Sequence, residues 1–434
     1  IDIPTLCYMK EINEIGACRM CLVEVSEGGK PFRMVTACVY PCSAGMVVKT
    51  NTPKIIQSRK LNLELLLSNH NKAYLGCSRS TNCELQKLCL AYGVTATYFG
   101  GEKTKTKVDN SSVAIFRDNS KCVLCRRCVA ACKNVQGIGV IGANNRGFDT
   151  QIGCAFEMNL ADTTCVNCGQ CIVNCPTGAL HEVEYIDEVF AALADETKHV
   201  VIQTAPSVRA GIAEEFGYPI GTNGEGKMVA ALRRLGFANV FDTDFGADLT
   251  IMEEAHEFLD RFQNGGKLPM ITSCSPGWVK YCEHYFPEFI ENLSTCKSPQ
   301  QMFGGVLKTY YAEKMGWDPK DIVSVSIMPC TAKKFEIKRD DQASAGVPDV
   351  DYALTTRELA RMIKRAGIDF NSLPDEQFDN PLGISTGAGV IFGATGGVME
   401  AALRTAVYAL TGKNPENPAM LFSEVRGTKG WKEA

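Results

Sequence analysis

The chain has 434 residues, 45 basic and 49 acidic, and a formal net charge of −4, so it offers no basic excess for nucleic acid. No apolar run approaches the ~18 residues that span a membrane, and no export signal precedes the first cysteine; a cytoplasmic protein of two or more domains is expected. Of its 21 cysteines 17 fall in residues 1–175, which argues for metal ligation in a reducing compartment and against disulfides.

In chain order, Cys7, Cys18, Cys21 and Cys38 come first, spaced C-x10-C-x2-C-x16-C. This suits a [2Fe-2S] cluster on a loop of a ferredoxin-like β-grasp domain over residues 1–53. Such a domain places a hairpin and a helix before its first ligand, and the short run before Cys7 cannot supply them, so an amino-terminal truncation is expected. Cys42 reads as a buried thiol that binds no metal. The helical stretch IIQSRKLNLELLLSNH then leads to His70, Cys77, Cys83 and Cys89 in a segment spanning 54–102. One histidine among spaced cysteines suggests a mixed-ligand [4Fe-4S] cluster, in which neutral imidazole raises the potential. Without those cysteines, a histidine closing a helix would be an ordinary cap or core residue.

Residues 103–121 are polar and read as a connector within a two-cluster ferredoxin domain, 103–190. Cys122, Cys125, Cys128 and Cys132 follow C-x2-C-x2-C-x3-C, and so do Cys165, Cys168, Cys171 and Cys175. In this spacing three close cysteines hold one cubane and the fourth reaches across to the other. One [4Fe-4S] cluster is therefore assigned to Cys122, Cys125, Cys128 and Cys175, and a second to Cys165, Cys168, Cys171 and Cys132. Paired zinc sites or disulfides fit a doubled run of this kind poorly. Between the halves, GIGVIGANNRGFDTQIGCAFE reads as a hairpin, with Cys154 a spare thiol.

Residues 191–434 change character. HVVIQTAP, NVFDTDF, KLPMITSC and IVSVSIMPC read as strands. GKMVAALRRLGF, TIMEEAHEFLDRFQN, SPQQMFGGVLKTYYAEKMG and TTRELARMIKRAG read as the helices between them. The alternation predicts an α/β domain with a parallel sheet, in a chain that is α+β and α/β multidomain overall. Chemistry in such sheets gathers at the carboxyl ends of strands. Three strands end in Ala205-Pro206-Ser207, Thr272-Ser273-Cys274 and Met328-Pro329-Cys330.

TSCSPGW (Thr272–Trp278) and MPCTAKKFE (Met328–Glu336) resemble two signature motifs of the iron-only, or [FeFe], hydrogenases. The resemblance extends over nearly the whole chain, because the accessory clusters follow that family's order and Gly387–Arg404 also matches. It implies an α/β catalytic domain carrying an H-cluster, a cubane joined to a two-iron unit with carbonyl, cyanide and azadithiolate ligands, where protons, electrons and hydrogen interconvert. By resemblance Cys330 ligates the cubane and Lys333 bonds a cyanide. Met328 and Phe392 pack around the two-iron unit, and Pro206 and Ser207 donate to its other cyanide. Cys274 passes protons toward a relay of Glu254, Ser294 and Glu257. Independently, Glu254 and Glu257 stand three apart on one helix face, although an acidic pair there is ordinarily solvated surface.

The sequence departs from the pattern in three places. Ser275 stands where the family carries a ligand cysteine, leaving Cys274 or Cys296 to substitute. Tyr74 stands where the His-associated cluster has a cysteine, so either Cys89 supplies that ligand or the cluster is altered or absent. A third motif, with two further cysteines, is not found before Ala434, and a carboxyl-terminal truncation is expected.

The resemblance also implies partners: a ferredoxin or flavin- and NAD-binding diaphorase subunits, together with H-cluster maturation proteins. A hydrogen sensor, or a non-catalytic electron-transfer subunit of an NADH-linked complex, are the other readings.

Overall fold

A computed structural model describes residues 1–414 except 81, 97, 382–384 and 395, together with the strands Ser423–Glu424 and Lys432–Glu433. Residue 395 of the Gly387–Arg404 motif and the rest of the carboxyl-terminal stretch lie outside the described residues. The chain divides into two units, Ile1–Val183 and Glu184–Ala434.

The first unit begins with an antiparallel sheet of β1 (Leu22–Ser26), β2 (Arg33–Thr36) and β3 (Val47–Lys49), in the order β2-β1-β3. β1 is central, and its Val23 and Val25 are buried. The helix Pro53–Asn69 starts where the Thr52 hydroxyl accepts from the Ile55 amide, with proline in the first turn where a missing N–H costs nothing. It buries Ile55, Arg59 and Leu63, and the Arg59 guanidinium donates to the Leu22 carbonyl at 2.7 Å.

The expected connector is structured. It carries β4 (Val108–Asp109) and β5 (Ile115–Asp118). After the hairpin of β6 (Gly142–Asn144) and β7 (Gln151–Gly153), β8 (Leu180–Glu182) completes a second antiparallel sheet, β4-β5-β8. Ala114 and Ile115 are fully buried, so one short apolar run inside a polar stretch was enough to pair. The hairpin between the cysteine halves is present as expected.

In the second unit β9 (His199–Thr204), β10 (Asn239–Asp242), β11 (Ile322–Ile327) and β12 (Tyr352–Leu354) form a parallel sheet in the order β10-β9-β11-β12. Ile202, Val240, Val325 and Ile327 of the sheet pack with Met228, Leu232, Leu359 and Ile363 of the covering helices. The expected helices appear at Glu225–Leu235, Asp244–Asn264 and Thr356–Arg365. The fourth is interrupted by a π-helical turn at Leu307–Tyr311.

KLPMITSC is not a sheet strand. Ile271 makes an isolated bridge to Leu293, and Pro269 has no amide to extend a ladder. Thr272-Ser273-Cys274 therefore lies on the loop before the helix Pro276–Tyr285, and the expected third strand end is replaced by a loop. β12, too short to read from the sequence, is the edge strand instead.

Two close approaches set the long helix Asp244–Asn264. A Cβ on Gly246 would stand 2.4 Å from the Pro299 carbonyl, and one on Gly389 would stand 2.8 Å from the Asp244 carbonyl. Gly389, within the GAGVIFG stretch, thus serves backbone packing.

A buried pair anchors the far side of the sheet. Lys334 Nζ lies 2.9 Å from Glu358, both side chains almost fully enclosed, and Glu358 also closes a capping box with Thr355. Glu358→Ala should lower stability by about 3–5 kcal/mol, since it strands a buried ammonium and opens the cap. Thermal or denaturant unfolding of the variant measures the loss.

Candidate functional site

The first unit gathers its cysteines into sets. Near the amino terminus the Cys7 and Cys18 thiols are hydrogen-bonded to each other, and Cys21 Sγ stands 3.3 Å from Cys38 Sγ. Two thiol pairs side by side suit two iron atoms, each taking one pair. The Cys18 partner pushes the Cys7 thiol far up, and Cys18 itself is drawn down to about 6 by that same bond. Burial and Cys21 push Cys38 up to about 12. Cys42 is exposed, not buried as expected, because it follows a turn beyond the short β2.

Cys122, Cys125, Cys128 and Cys175 line one cavity, and Cys132, Cys165, Cys168 and Cys171 line another. These are the two quartets drawn from spacing, including the crossing of each fourth cysteine. Left-handed backbone at Leu124, Arg126, Asn167 and Gly169 coils each loop around its cavity. Burial pushes Cys122 and Cys125 up to about 12 and Cys128 and Cys171 well up, and neighbouring thiols add to it. Thiolates so placed ionise only against a cation, as metal ligation supplies. No three His, Cys, Asp or Glu side chains among the described residues are arranged for a lone ion. The quartets instead surround space, as a many-atom cluster requires.

Cys77, Cys83 and Cys89 form a third group, each within electrostatic reach of the next. His70 caps the helix Pro53–Asn69 with its Nδ1 buried and unbonded. Burial and Lys121 hold it below its ordinary value, in the neutral form a metal needs. Tyr74 is exposed.

These sets meet. The Asn13 side-chain amide donates to the Cys7 carbonyl at 2.7 Å and to the Cys125 carbonyl at 3.0 Å. Arg79 donates to the Cys175 carbonyl, and a Cβ on Gly178 would stand 2.4 Å from Cys77 Sγ. Cys154 is buried, with Sγ 3.9 Å from Arg117, and lines neither quartet's cavity.

In the second unit β9 and β11 run side by side, so Ala205-Pro206-Ser207 and Met328-Pro329-Cys330 leave the same sheet edge. Pro206 and Ser207 are exposed, Cys330 is half-buried and Met328 is buried in the main core. Phe392 packs elsewhere, against Ile251, Val398 and Ala401, and does not share Met328's cluster.

Cys274, Glu254, Ser294 and Glu257 are brought together. Burial raises the Cys274 thiol against the opposing pull of Lys333, and Glu254 raises it further. Lys333 Nζ donates to the Cys274 carbonyl and to both Glu336 oxygens, each at 3.0 Å. Burial raises Glu254 to about 7, against the lowering effect of the Ser294 hydroxyl, and neither carboxylate oxygen has a bonded partner. Ser294 Oγ donates to Glu257 at 3.1 Å. Burial tends to raise Glu257, but the Thr295 amide, Arg261 and Ser294 outweigh it and hold the carboxyl below its ordinary range.

Cys296 Sγ also turns to Glu257, at 3.5 Å, beside an open cleft of about 260 Å³ lined by Ser273, Ser294, Glu336 and Arg339. The Ser273 hydroxyl donates to the Cys296 carbonyl, which keeps both cysteine loops adjacent.

Two contributors escaped sequence reasoning. Arg261 clamps Glu257 at 2.5 Å, and Glu336 holds Lys333, Ser298 and Gln300. Their spacings, i+4 from Glu257 and i+3 from Lys333, were the available signal. His256 and His284 are exposed.

Residues 198–434 match the family described as iron only hydrogenase large subunit, C-terminal domain. Residues 1–53 match a 2Fe-2S cluster binding domain, 59–97 the iron–sulfur region of NADH-ubiquinone oxidoreductase G, and 95–179 a 4Fe-4S dicluster domain. The NADP-reducing hydrogenase subunit HndD of Solidesulfovibrio fructosivorans is 52% identical over 446 residues, covering 100% of this chain and 75% of that protein. Iron hydrogenase 1 of Clostridium pasteurianum is 46% identical over 437 residues, with the same coverage. Among solved structures, an [FeFe]-hydrogenase of Chlamydomonas reinhardtii is 47% identical at a TM-score of 0.50, over 58% of this chain. This chain spans 63% of that structure's length.

Gly178→Ala should displace Cys77. Iron analysis and electron paramagnetic resonance should show one cluster lost from the Cys77 group while both quartets keep theirs.

Proposed function

The chain belongs to the iron-only hydrogenase large-subunit family, and from that premise we propose that it catalyses reversible hydrogen oxidation and proton reduction at an H-cluster. The observation that carries the reading is Glu254: a buried carboxyl with no bonded partner, raised to about 7, between the Cys274 thiol and Ser294. Such a group takes and gives protons near neutral pH, which a structural carboxylate does not need to do.

When bound, the H-cluster supplies the iron site at which hydrogen is formed or split. Cys330 would hold its cubane, with Cys274 or Cys296 standing in for the ligand that Ser275 cannot be. With Cys296 in that place, the Cys274 thiol keeps its proton and is available to pass it on. Lys333 keeps its ammonium at the site through Glu336, and at the adjoining strand end Ser207 offers donors, whereas Pro206 has no N–H to donate. A proton passes from Cys274 Sγ to a Glu254 oxygen, through the Ser294 hydroxyl, to Glu257, where Arg261 holds the outer carboxylate ionised.

The chain comprises four parts in this reading: a partial β-grasp [2Fe-2S] domain, 1–53; a His/Cys [4Fe-4S] segment, 54–102; a two-cubane ferredoxin domain, 103–190; and the H-cluster domain, 191–434. Electrons enter through the [2Fe-2S] or His-associated site and cross the cubanes. The likeness to an NADP-reducing hydrogenase subunit supports a flavin- and NAD(P)-binding partner in the cytoplasm, with ferredoxin as the other donor and maturation proteins loading the H-cluster. No helix among the described residues is long and apolar enough to cross a membrane.

Infrared spectra of the matured protein test the reading. Carbonyl and cyanide bands are expected; their absence leaves an electron-transfer subunit, and bands without turnover leave a sensor. Glu254→Gln should keep the bands and lower hydrogen turnover by about 100-fold or more.

The same residue sets a pH dependence of stability. Its carboxyl ionises near 4.5 ordinarily and about 7 when folded, so between those values only the folded state keeps the proton. Stability attributable to Glu254 therefore falls as pH rises through that window, by up to about 3 kcal/mol. The drop in unfolding midpoint from pH 5 to pH 8 should be smaller in the Glu254→Gln variant.

A further inference from the structure

The two cubane quartets share one spacing, so their ligation is equivalent and any difference in potential comes from what surrounds them. Their surroundings differ. Arg117, on β5 and 3% exposed, lines the cavity of Cys122, Cys125, Cys128 and Cys175, and Arg126 lines it too. The cavity of Cys132, Cys165, Cys168 and Cys171 is lined by Ile115, Ile138, Val140, Ile141 and Val166, with Gln170 its polar residue.

Arg117 is fixed in place. Its Nη2 bonds Asp109 at 2.9 Å, while Nε is buried with no partner. Asp109 is not part of the cavity lining and is held by Ser111 and the Leu160 amide, so the carboxylate that balances Arg117 stands outside the cavity that the arginine lines.

This quartet is also where the other sites meet. Asn13 ties Cys7 to Cys125, Arg79 holds the Cys175 carbonyl, and Gly178 abuts Cys77.

We propose that Arg117, assisted by Arg126, makes the cubane of Cys122, Cys125, Cys128 and Cys175 the first of the two to be reduced, so that electrons from either entry site collect there. Reduction takes [4Fe-4S]2+ to [4Fe-4S]1+ by one electron from a flavin- or ferredoxin-type donor, with no bond made and no proton moved. A buried cation at the cavity wall stabilises the added negative charge, and an apolar wall around the other cubane opposes it. Arg117 carries more of the effect than Arg126, whose exposed charge is screened by water and salt. The proposal rests on the assignment of both quartets as cubane sites.

The test is a dithionite titration of the anaerobically prepared, cluster-loaded chain, followed by electron paramagnetic resonance. In the parent protein the cubanes of the two quartets should show two separated reduction steps. Arg117→Gln should move the upper step down and leave the lower one in place, Arg117→Lys should restore much of the separation, and Arg126→Gln should give a smaller downward shift of the same step. Because Arg117→Gln leaves Asp109 buried without its partner, the double variant Arg117→Gln/Asp109→Asn is titrated beside it, and Arg126→Gln changes only an exposed residue. Steps that coincide in the parent overturn the proposal, and so does an upper step that none of these variants moves, or a shift confined to the lower step. Iron content separates this from failure of the cluster assignment: a chain that lacks both cubane signals refutes the assignment itself.

Discussion

Sulfur crowded against sulfur, away from water, is the constraint on which the first unit depends. Its two interior clusters of side chains are made of cysteine as much as of aliphatic residues. One joins Cys128, Cys165, Cys171 and Cys175 to Ile115, Ile141 and Leu180; the other joins Cys7, Cys18, Cys89 and Cys125 to Leu6 and Leu63. Thiols in that setting resist ionisation, and the loops that present them pass through left-handed backbone that ordinary side chains avoid. Both costs are offset when iron binds, so this unit's stability and its cluster content are one quantity.

The second unit is built the other way. Its sheet and helices close on aliphatic side chains, and the chemistry is carried at the edge where β9 and β11 end and on one long helix beside it. That helix owes its place to Gly246 and Gly389, which let neighbouring backbone come within contact distance. Glu254 and Glu257 are thereby set against the loop that carries Ser294 and Cys296. The difference between the two carboxyls comes from neighbours: Glu257 has an arginine, an amide and a hydroxyl, whereas Glu254 has burial and little else.

What the sequence made legible follows from how local each signal is. Cysteine spacing anticipated which four cysteines line each of the two cavities, including the exchange of their fourth members, because the ferredoxin spacing pattern specifies that crossing. Period and length found the strands at 199–204, 239–242 and 322–327 and three of the principal helices. The strand at 115–118 escaped because four residues inside a polar run average to polarity, and 352–354 because three residues carry no period. KLPMITSC misled because its apolar content packs on a loop. Arg261 and Glu336 act through a helical turn already containing a recognised residue, which the motif-led reading did not follow outward. The exposure of Cys42 depended on where a turn leads, which no local pattern encodes.

Asn13 has a consequence of another kind. With one side-chain amide it joins the carbonyl of Cys7 to the carbonyl of Cys125, so that two metal-binding loops 118 positions apart are separated by a few bonded atoms and two hydrogen bonds. Tunnelling favours such bonded routes over gaps of the same width. The contact between two conductors can thus be lengthened or shortened by exchanging one uncharged residue, with every iron ligand left as it was.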